Sequence, residues 1–330
     1  MLNQLHLLDN QKGIAKLANK SVNLIIADPP YYKIKGDFDF EFKDFQEYLN
    51  FMEEQAKLYK RVLADNGSLF VYGHAKNIAY VQIIFDKYFN LENSLVWEKK
   101  ECQTNIGLDY FRSFAPITER ILFYSNEVER TGLEEIKLDV NNFLSLREYF
   151  KSIQEFIGTG KNVIINSIGQ QADHCFRWGS SQWDMPTEET YFQLIEKFSI
   201  DKMICFREYE SLRQEYESLR RPFNNFKRLT DVMRYSQESH ITRQFDHDTI
   251  KPEKLTLDLI ETTTKENDLV LIPFGGSGTE CVCSMRLKRQ WVAFENKKKY
   301  FDIALKRIHS EYEKTSLFNS LGGRQLQLSA

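Results

Sequence analysis

The segment Asp28-Pro29-Pro30-Tyr31 combines residue types that can hold a planar group bearing an amine. It directly follows the apolar run Val22–Ala27, which predicts a strand buried in a parallel sheet. Ligands of such sheets bind at the carboxyl ends of the strands. Asp28 and the Pro29 carbonyl can accept the two hydrogen bonds of an amine while Tyr31 stacks on the ring. Alternatively, the strand ends in a proline turn with a solvated aspartate.

A second candidate site is the glycine-rich segment Pro273-Phe274-Gly275-Gly276-Ser277-Gly278-Thr279, between a predicted strand and a predicted helix. Its glycines allow a sharp turn and a close approach of the backbone to a ligand. The segment lacks the third glycine of a dinucleotide fingerprint, since Val282 stands in the next turn, and it lacks the Gly-Lys-Ser/Thr of a phosphate loop. We therefore expect a seat for a nucleoside without pyrophosphate, with a plain tight turn as the alternative.

Glu295 stands at the end of the next predicted strand, one βα unit after the glycine-rich segment. An acid in this place can accept hydrogen bonds from both ribose hydroxyls of an adenosine ligand. A strand-end glutamate taken alone is more often a solvated or capping residue. The interpretation as a ribose ligand therefore depends on the glycine-rich segment that precedes it.

The elements that must position these motifs alternate between strand and helix. The predicted strands are Leu5–Leu8, Val22–Ala27, Ser68–Tyr72, Leu95–Trp97, Arg120–Tyr124, Leu269–Ile272 and Gln290–Phe294. The predicted helices are Asn10–Ala18, Phe45–Leu63, Ile78–Tyr88, Pro252–Thr263, Thr279–Leu287 and Lys298–Tyr312, with a turn at Asp65-Asn66-Gly67. This alternation predicts a doubly wound α/β sheet. It stops between about Glu127 and His247, where Tyr-Glu-Ser-Leu-Arg occurs twice and predicts a short amphipathic helix.

Composition sets wider limits on the 330-residue chain. With 42% hydrophobic and 28% charged residues, it has the balance of a globular protein. Its net charge of −3 excludes coating of nucleic acid by bulk charge but permits a local basic face. We expect no membrane span, no secretory signal in the first ten residues, and reduced cysteines in a cytosol. Cys281 and Cys283 are expected to be buried thiols rather than metal ligands.

Together the motifs resemble those of DNA amino-methyltransferases, specifically the β class that methylates adenine at N6. In that class an Asp-Pro-Pro-Tyr catalytic motif comes first, a target-recognition region lies in the middle, and a Phe-x-Gly-x-Gly cofactor motif comes last. Asp28–Tyr31 and Phe274–Gly278 stand in this order, and residues 1–125 and 245–310 carry the resemblance. It implies a doubly wound, mostly parallel, seven-stranded methyltransferase sheet with an inserted target-recognition region.

The resemblance also implies S-adenosylmethionine as cofactor and double-stranded DNA as substrate, in a bacterial or phage modification system. The catalytic residues would be Asp28, Pro29, Pro30 and Tyr31, acting on a flipped-out adenine. The implied cofactor-binding residues are Asp9, Asn10, His247, Thr249, Lys251, Pro252, Phe274, Gly276, Ser277, Gly278, Thr279, Glu295 and Asn296. No metal site is expected. Ile272 departs from the family, which usually has an Asp there to position the methionine part of the cofactor.

The resemblance leads us to expect a catalytic and cofactor-binding domain at 1–125 and 245–316, a target-recognition region at 126–244, and a loosely held tail at 317–330. Basic residues interleaved with aromatic ones would contact DNA phosphates: Arg220, Arg221, Lys227, Arg228, Arg234 and Arg243. Asn224, Asn225 or Gln244 could read base edges. Residues Gln170–Trp183 either reach DNA or pack in a core. A homodimer and an accompanying restriction endonuclease are further partners that the resemblance allows, whereas a membrane is not.

Three alternatives stay open at the level of sequence. Asp rather than Ser at position 28 favours adenine by the family pattern, with an N4-cytosine DNA methyltransferase as the first alternative. Ile272 suggests a second, a catalytically silent DNA-recognition subunit. A nicotinamide-dependent oxidoreductase would use the glycine-rich turn but would leave Asp28–Tyr31 unexplained.

Overall fold

The computed structural model describes residues 1–34, 39, 41–99, 114, 116–126, 143–180, 182–236 and 250–327, with 315–327 as backbone only. Cys102, Arg243, Gln244, His247 and Thr249 lie outside the described residues, so what was predicted for them stays a prediction. The chain divides into two compact units. The larger comprises Met1–Val128 and Pro222–Ala330, and the smaller comprises Glu129–Arg221. The larger unit thus resumes at Pro222, earlier than the boundary near 245 expected from the sequence.

An eight-stranded sheet forms the centre of the larger unit. Its strands are β1 (Gln4–Leu7), β2 (Val22–Ala27), β3 (Leu63–Gly73), β4 (Asn90–Lys99), β5 (Thr118–Ser125), β6 (Val232–Tyr235), β7 (Leu269–Ile272) and β8 (Gln290–Glu295). Their order across the sheet is β1-β8-β7-β2-β3-β5-β4-β6. Strand β5 runs antiparallel to its neighbours β3 and β4, and all other neighbouring pairs are parallel. The predicted mostly parallel α/β sheet is thereby confirmed.

Two details of the predicted sheet are wrong. The sheet has eight described strands rather than seven, because Val232–Tyr235 adds to the edge of β4 with Val96 opposite Val232. This short, half-exposed segment becomes a strand through its pairing rather than its own periodicity. The turn predicted at Asp65–Gly67 instead lies within β3, between Leu63 and Ser68, where the β2–β3 ladder shifts its register.

Helices cover both faces of the sheet. The larger unit contains α1 (Asn10–Ile14), α2 (Phe45–Val62) and α3 (Ile78–Phe85), and the smaller contains α4 (Leu144–Ile157), α5 (Lys161–Ile168), α6 (Glu188–Phe198) and α7 (Tyr209–Leu219). The larger unit continues with α8 (Glu253–Thr263), α9 (Thr279–Arg286) and α10 (Lys298–Gln327). Helix α10 therefore extends well past Tyr312, where the sequence predicted its end.

The burial along β2 shows why this strand reads as a continuous apolar run. Val22 and Ile25 belong to the hydrophobic cluster that α1, α2 and α3 share with the sheet. Leu24 and Ile26 belong to the cluster on the opposite face, to which α8, α9 and α10 contribute. Because successive side chains of a strand point to opposite faces, both faces of β2 are covered from Leu24 to Ala27. The one polar residue of the strand, Asn23, is half-buried and accepts a hydrogen bond from the Leu269 N–H at 2.9 Å.

The smaller unit has a hydrophobic core of its own, built from α4 to α7 and the segment between α5 and α6. Within Gln170–Trp183, Cys175, Phe176 and Trp183 are buried in this core, and the Trp183 indole N–H donates to the Cys175 carbonyl at 3.0 Å. These three side chains therefore pack in the core, the second of the two roles considered for this stretch. Helix α7 covers the twice-occurring Tyr-Glu-Ser-Leu sequence and buries Leu212.

The described residues include four of the five cysteines of the chain. Cys175, Cys205, Cys281 and Cys283 are free thiols, and all of these except Cys205 are buried. In the part of the chain that the structure describes, no group of three or more His, Cys, Asp or Glu side chains is placed to hold a metal ion. No described helix is both long and apolar enough to cross a membrane.

Replacement of Gly13 by alanine tests the packing of α1 on β8. A Cβ atom at Gly13 would lie 2.2 Å from the ring of Phe294, which is fully buried. We expect Gly13→Ala to lower the free energy of unfolding by about 1–3 kcal/mol in urea denaturation, despite the better helix propensity of alanine. Gly179→Ala, where a Cβ would meet nothing within 4 Å, should change it by less than about 0.5 kcal/mol. Equal stability of both variants would refute the close packing.

Candidate functional site

The candidate site lies at the edge of the sheet where the parallel strands of the larger unit end. Asp28 follows β2, His74 follows β3, Lys99 ends β4, and Phe274 and Glu295 stand at the ends of β7 and β8. Because β5 is the reversed strand, its first residues, Thr118 and Glu119, reach the same edge. All of these residues line one cavity of about 490 Å³. The carboxyl edge of such a sheet is where ligands of open α/β folds bind.

The loop that carries Asp28 to Tyr31 is held in place through the backbone of Tyr31. Its N–H donates to the buried carboxylate of Asp39 at 2.5 Å. Its carbonyl accepts from the Asn77 side chain, also at 2.5 Å. Two prolines restrict the preceding backbone, so the position of Asp28 is set from both sides.

Asp28 belongs to a compact network of charged groups. Its Oδ2 lies 3.0 Å from the ammonium of Lys251, and its Oδ1 accepts from the Tyr31 hydroxyl at 2.6 Å. The same ammonium lies 3.2 Å from Glu119 Oε2. Glu119 Oε1 in turn lies 2.7 Å from the ammonium of Lys99. Two lysines and two carboxylates thus alternate along the cavity wall, and their formal charges cancel.

Burial and neighbouring charge act against each other at these groups. Burial raises the pKa of Asp28 above its usual value, and the charge of Lys251 opposes that rise. At Glu119 burial also favours the neutral form, but Lys251 and Lys99 outweigh it and lower the pKa to about 2. At Lys251 burial disfavours the ammonium, but Asp28 and Glu119 outweigh it and raise the pKa. Glu119 and Lys251 are therefore charged at neutral pH.

Tyr31 lines the cavity, but its hydroxyl is already engaged. It donates to Asp28, and burial followed by the Asp28 charge raises the pKa of Tyr31 well above its usual value. The Lys251 ammonium lies 5.4 Å from the centre of the Tyr31 ring. The hydroxyl therefore fixes the ring that the sequence assigned to stacking.

The glycine-rich turn and Glu295 are joined by hydrogen bonds. Glu295 Oε2 accepts from the Gly276 N–H at 2.9 Å, and its Oε1 accepts from the Lys297 N–H at 2.8 Å. A Cβ on Gly275 would come within 3.2 Å of the Phe294 carbonyl, so the turn packs closely on β8. Burial raises the pKa of Glu295, and hydrogen bonds from the backbone N–H groups of Lys297, Gly276 and Asn296 oppose the rise. Glu295 thus faces the cavity while it holds the turn.

Not all predicted cofactor-binding residues line the cavity. Asp9, Asn10, Lys251, Phe274, Gly276, Glu295 and Asn296 do so. The cavity lining does not include Pro252, Ser277, Gly278 or Thr279. Asp9 caps the start of α1, and the Asn10 amide is paired reciprocally with that of Gln55 at 3.1 and 3.2 Å. Asn10 therefore presents little of its amide to a ligand.

Arg307 of α10 orders the far side of the glycine-rich turn, a role that the sequence did not reveal. Its guanidinium donates to the Ser277 carbonyl at 3.0 Å and to the Thr279 hydroxyl at 2.9 Å. It also forms an ion pair with Glu253 at 2.9 Å. Ser277 and Thr279 are thus structural partners of Arg307 rather than cavity-lining groups. An arginine near the middle of an amphipathic helix gave no sequence signal for this role.

Ile272 replaces the expected acid at the end of β7. Its side chain is fully buried in the cluster on the α8 face, opposite Ala293 of β8. A carboxylate there would have to lie among apolar groups, so the isoleucine fits its surroundings. The described carboxylates that line the cavity are instead Asp9, Asp28, Asp39, Glu41, Glu119 and Glu295.

Glu119, Lys99 and Asp39 are the site residues that sequence reasoning missed. Glu119 directly precedes the predicted strand Arg120–Tyr124, and a lone acid in that place is a usable signal. Lys99 and Asp39 carried no signal, because only the folded chain brings them to the cavity.

The basic residues of the larger unit that were predicted to bind DNA and that the structure describes, Lys227, Arg228 and Arg234, are not among the residues that line the cavity. Lys227 forms ion pairs with Asp258 at 2.6 Å and Glu261 at 2.7 Å, and Arg234 lies 2.8 Å from Glu98. Arg228 is exposed. Arg220 and Arg221 end the smaller unit.

The asparagines proposed as base readers are partly used within the larger unit. The Asn225 side chain is hydrogen-bonded to both the N–H and the carbonyl of Leu229. The Asn224 backbone donates to the Thr262 carbonyl. Phe223 stacks on Phe123 with ring centres 5.8 Å apart. Asn225 and Phe223 thus have structural contacts of their own.

Comparisons with known proteins agree on one family. The model of the N6/N4 methyltransferases, described as DNA methylase, matches residues 22–306. The Type II methyltransferase M2.DpnII of Streptococcus pneumoniae is 24% identical, with 92% of this chain and 89% of that protein covered. M.HinfI of Haemophilus influenzae is 25% identical, with 88% of this chain and 64% of that protein covered.

Solved structures show the same fold. The PvuII DNA methyltransferase, described as cytosine-N4-specific, has a TM-score of 0.52 at 15% identity, covering 94% of this chain and 91% of its own. A modification methylase of Thermus thermophilus, solved in complex with S-adenosyl-L-methionine, has a TM-score of 0.50 at 16% identity, covering 93% of each chain.

Removal of the Arg307 side chain tests the support of the glycine-rich turn. Arg307→Ala would remove one ion-pair partner of Glu253 and the guanidinium donor of the Ser277 carbonyl and the Thr279 hydroxyl. The Thr279 hydroxyl would keep its hydrogen bond with the Ser277 hydroxyl at 3.1 Å. We expect the free energy of unfolding to fall by about 3–5 kcal/mol in urea denaturation. The neighbouring exposed Lys306→Ala should change it by less than about 0.5 kcal/mol. An Arg307→Ala protein as stable as the Lys306→Ala protein would contradict the assignment.

Proposed function

The chain belongs to the N6/N4 family of DNA methylases, and we propose that it transfers a methyl group from S-adenosylmethionine to the N6 amine of an adenine flipped out of double-stranded DNA. One observation carries the proposal: the Asp28 carboxylate and the adjoining Pro29 face a cavity at the carboxyl edge of the sheet. Both can accept hydrogen bonds from an amine. The side chain of Asp28 is 26% exposed to solvent, so a ligand can reach it.

The chemistry requires an acceptor pair of this kind. The lone pair of an exocyclic adenine amine is delocalised into the ring, which makes the nitrogen a poor nucleophile. Hydrogen bonds from its two protons to Asp28 and the Pro29 carbonyl would favour the pyramidal nitrogen and localise the lone pair. These bonds strengthen as positive charge develops on the nitrogen, so they stabilise the transition state more than the ground state. Asp28 need not take a proton before the methyl group moves.

The cavity suits S-adenosylmethionine in size and in chemistry. About 490 Å³ lies within the range of about 300–1,000 Å³ typical of small-molecule sites. Asp9, Asn296 and Glu295 supply polar groups at the β1 and β8 side, and Phe42, Phe51 and Phe274 supply apolar surface. The bound cofactor would supply a methyl group made electrophilic by its sulfonium. The protein contributes placement of donor and amine within one enclosed site.

Adenine is proposed over cytosine because an Asp, and not a Ser, stands at position 28. An N4-cytosine methyltransferase is the alternative that the family itself contains, and the amine of cytosine would need the same two acceptors. A silent recognition subunit is a second alternative, suggested by Ile272. It is disfavoured by the intact Asp28 network in the cavity, and a failure to bind S-adenosylmethionine would favour it.

The smaller unit is proposed as the target-recognition region. The proposed phosphate contacts are Arg220 and Arg221 of this unit and Arg228 of the larger one, together with Arg243, which lies outside the described residues. Lys227 and Arg234 are also proposed to contact phosphates, but more weakly, because each already forms an ion pair with a carboxylate. A homodimer and an accompanying restriction endonuclease remain proposals as well.

Replacement of Asp28 is the first test of the proposed chemistry. Asp28→Ala should abolish measurable methylation, a loss of at least about 10²–10³-fold, because the amine loses its charged acceptor. DNA and S-adenosylmethionine should still bind to the variant in gel-shift and calorimetric titrations. The exposed Asp65→Ala is the matched control and should methylate like the wild type.

The identity of the product decides between the candidate bases. DNA methylated by the wild-type protein is digested to nucleosides and analysed by mass spectrometry. N6-methyl-2′-deoxyadenosine as the product supports the proposal. N4-methyl-2′-deoxycytidine would replace it with the first alternative, and wild-type turnover by Asp28→Ala would remove Asp28 from the mechanism.

The phosphate contacts predict a steep salt dependence of DNA binding. Each neutralised phosphate contributes about one unit of slope to a plot of log affinity against log salt concentration. Arg228→Ala should therefore reduce that slope by about 1, measured by fluorescence anisotropy. Lys20→Ala, an exposed lysine outside this group, should leave it unchanged. A flat salt dependence of the wild type would contradict the proposed contacts.

A further inference from the structure

Lys251 is the most enclosed of the described lysines that line the candidate site, with a side chain only 6% exposed. The sequence placed it among the cofactor ligands. The structure instead directs its ammonium to Asp28 Oδ2 at 3.0 Å, Tyr31 Oη at 3.1 Å and Glu119 Oε2 at 3.2 Å. An ammonium has three N–H donors, and three acceptors surround this one. Little hydrogen-bonding capacity is left for a cofactor.

We propose that Lys251 is a positioning residue that keeps the Asp28 carboxylate ionised and fixed while it accepts the hydrogen bond of the target amine. The proposal rests on the proposed function for the identity of the ligand. Its physical basis is the environment of Asp28 alone. A protonated Asp28 would offer a donor where the amine needs an acceptor.

The network explains why a cation is needed at this place. Burial favours the neutral form of Asp28, and nearby Glu119 adds a like charge that acts in the same direction. Lys251 is the largest opposing influence. The Tyr31 hydroxyl helps through its hydrogen bond to Oδ1 but carries no charge.

Glu119 anchors Lys251 in turn. Its second oxygen is held by Lys99 at 2.7 Å, and the Lys99 ammonium lies 5.2 Å from the centre of the Trp97 ring. Glu119 is therefore fixed from strands β4 and β5, away from the loop that carries Asp28. This arrangement keeps the Lys251 ammonium in place when a ligand enters the cavity.

Other titratable groups face the same place and must be separated from Asp28 in any pH experiment. Groups that influence Asp28 or its partners are Tyr31, Tyr72, His74, Lys99, Glu119, Lys251, Glu280 and Arg307. Glu280 of α9 is the most important of these, because its pKa is about 7. Burial and, to a smaller extent, the charge of Asp28 raise this pKa, and a hydrogen bond from its own backbone N–H opposes the rise. Glu280→Gln therefore accompanies the test.

The first measurement is kcat/KM for methylation from about pH 5.5 to pH 9.5. Removal of the ammonium in Lys251→Met should move the acidic limb of this pH profile to higher pH by about one unit or more. At pH values below the limb, kcat/KM should then be about tenfold lower than in the wild type. Lys251→Arg restores a cation and should return the limb towards the wild-type position. Lys99→Met removes a lysine of the same cavity that pairs with Glu119 rather than Asp28, and should move the limb much less.

Cofactor titration separates this role from the one inferred by resemblance. If Lys251 only positions Asp28, the Kd of Lys251→Met for S-adenosylhomocysteine should lie within about threefold of the wild-type Kd, since the substitution acts on Asp28 and not on the cofactor. Loss of cofactor binding without a shift of the limb would overturn the proposal. So would an unmoved limb in Lys251→Met, or a wild-type limb that disappears in Glu280→Gln.

A stability measurement tests the same claim without any activity, and so stays decisive if the proposed function fails. In Lys251→Met the folded-state pKa of Asp28 should lie well above its unfolded value. The stability of this variant relative to Asp28→Asn/Lys251→Met should then be greatest at low pH and fall as pH rises through the range between the unfolded and folded pKa values. A difference in unfolding free energy that is flat from about pH 3 to pH 8 would overturn the proposal.

Discussion

The ion pair between Lys251 and Asp28 is the interaction on which the site depends. It joins the loop after β2 to the segment before α8, two parts of the chain more than two hundred residues apart in sequence. Glu119 at the start of β5 completes the contact from a third part of the sheet. Removal of either partner is costly, because the group left behind either stays charged in a desolvated place or changes its protonation state. The pair thereby ties the loop after β2 to the segment before α8.

The topology of the sheet brings the members of this network to one edge. Seven of the eight described strands run in one direction and end at one edge of the sheet. The reversed strand, β5, begins at that edge. Reversal of β5 brings Glu119 to the edge occupied by Asp28. The same edge carries the glycine-rich turn and Glu295, so the proposed donor and acceptor subsites share one cavity. Arg307 then fixes the turn from outside the cavity, which leaves the inner face available for a ligand.

The sequence predicted those parts of the fold whose local pattern matches their environment. Val22–Ala27 and Leu269–Ile272 were predicted with their observed bounds, because strands buried on both faces consist almost entirely of apolar residues. Strand β6 was missed because its pairing with β4, and not its own pattern, makes it a strand. In the same way, the sequence indicated that Lys251 belongs to the site but not that Asp28 is its partner. Contacts between distant residues leave no periodic trace in the chain.

A crystal structure of the wild-type protein with duplex DNA and a non-reactive S-adenosylmethionine analogue tests the central role of Asp28 most directly. We predict an adenine outside the helix, with its N6 within about 3.2 Å of an Asp28 carboxylate oxygen and of the Pro29 carbonyl. We also predict that the Lys251 ammonium still contacts the other oxygen of Asp28. A base bound elsewhere in the larger unit, or an Asp28 that contacts only the analogue, would contradict that role.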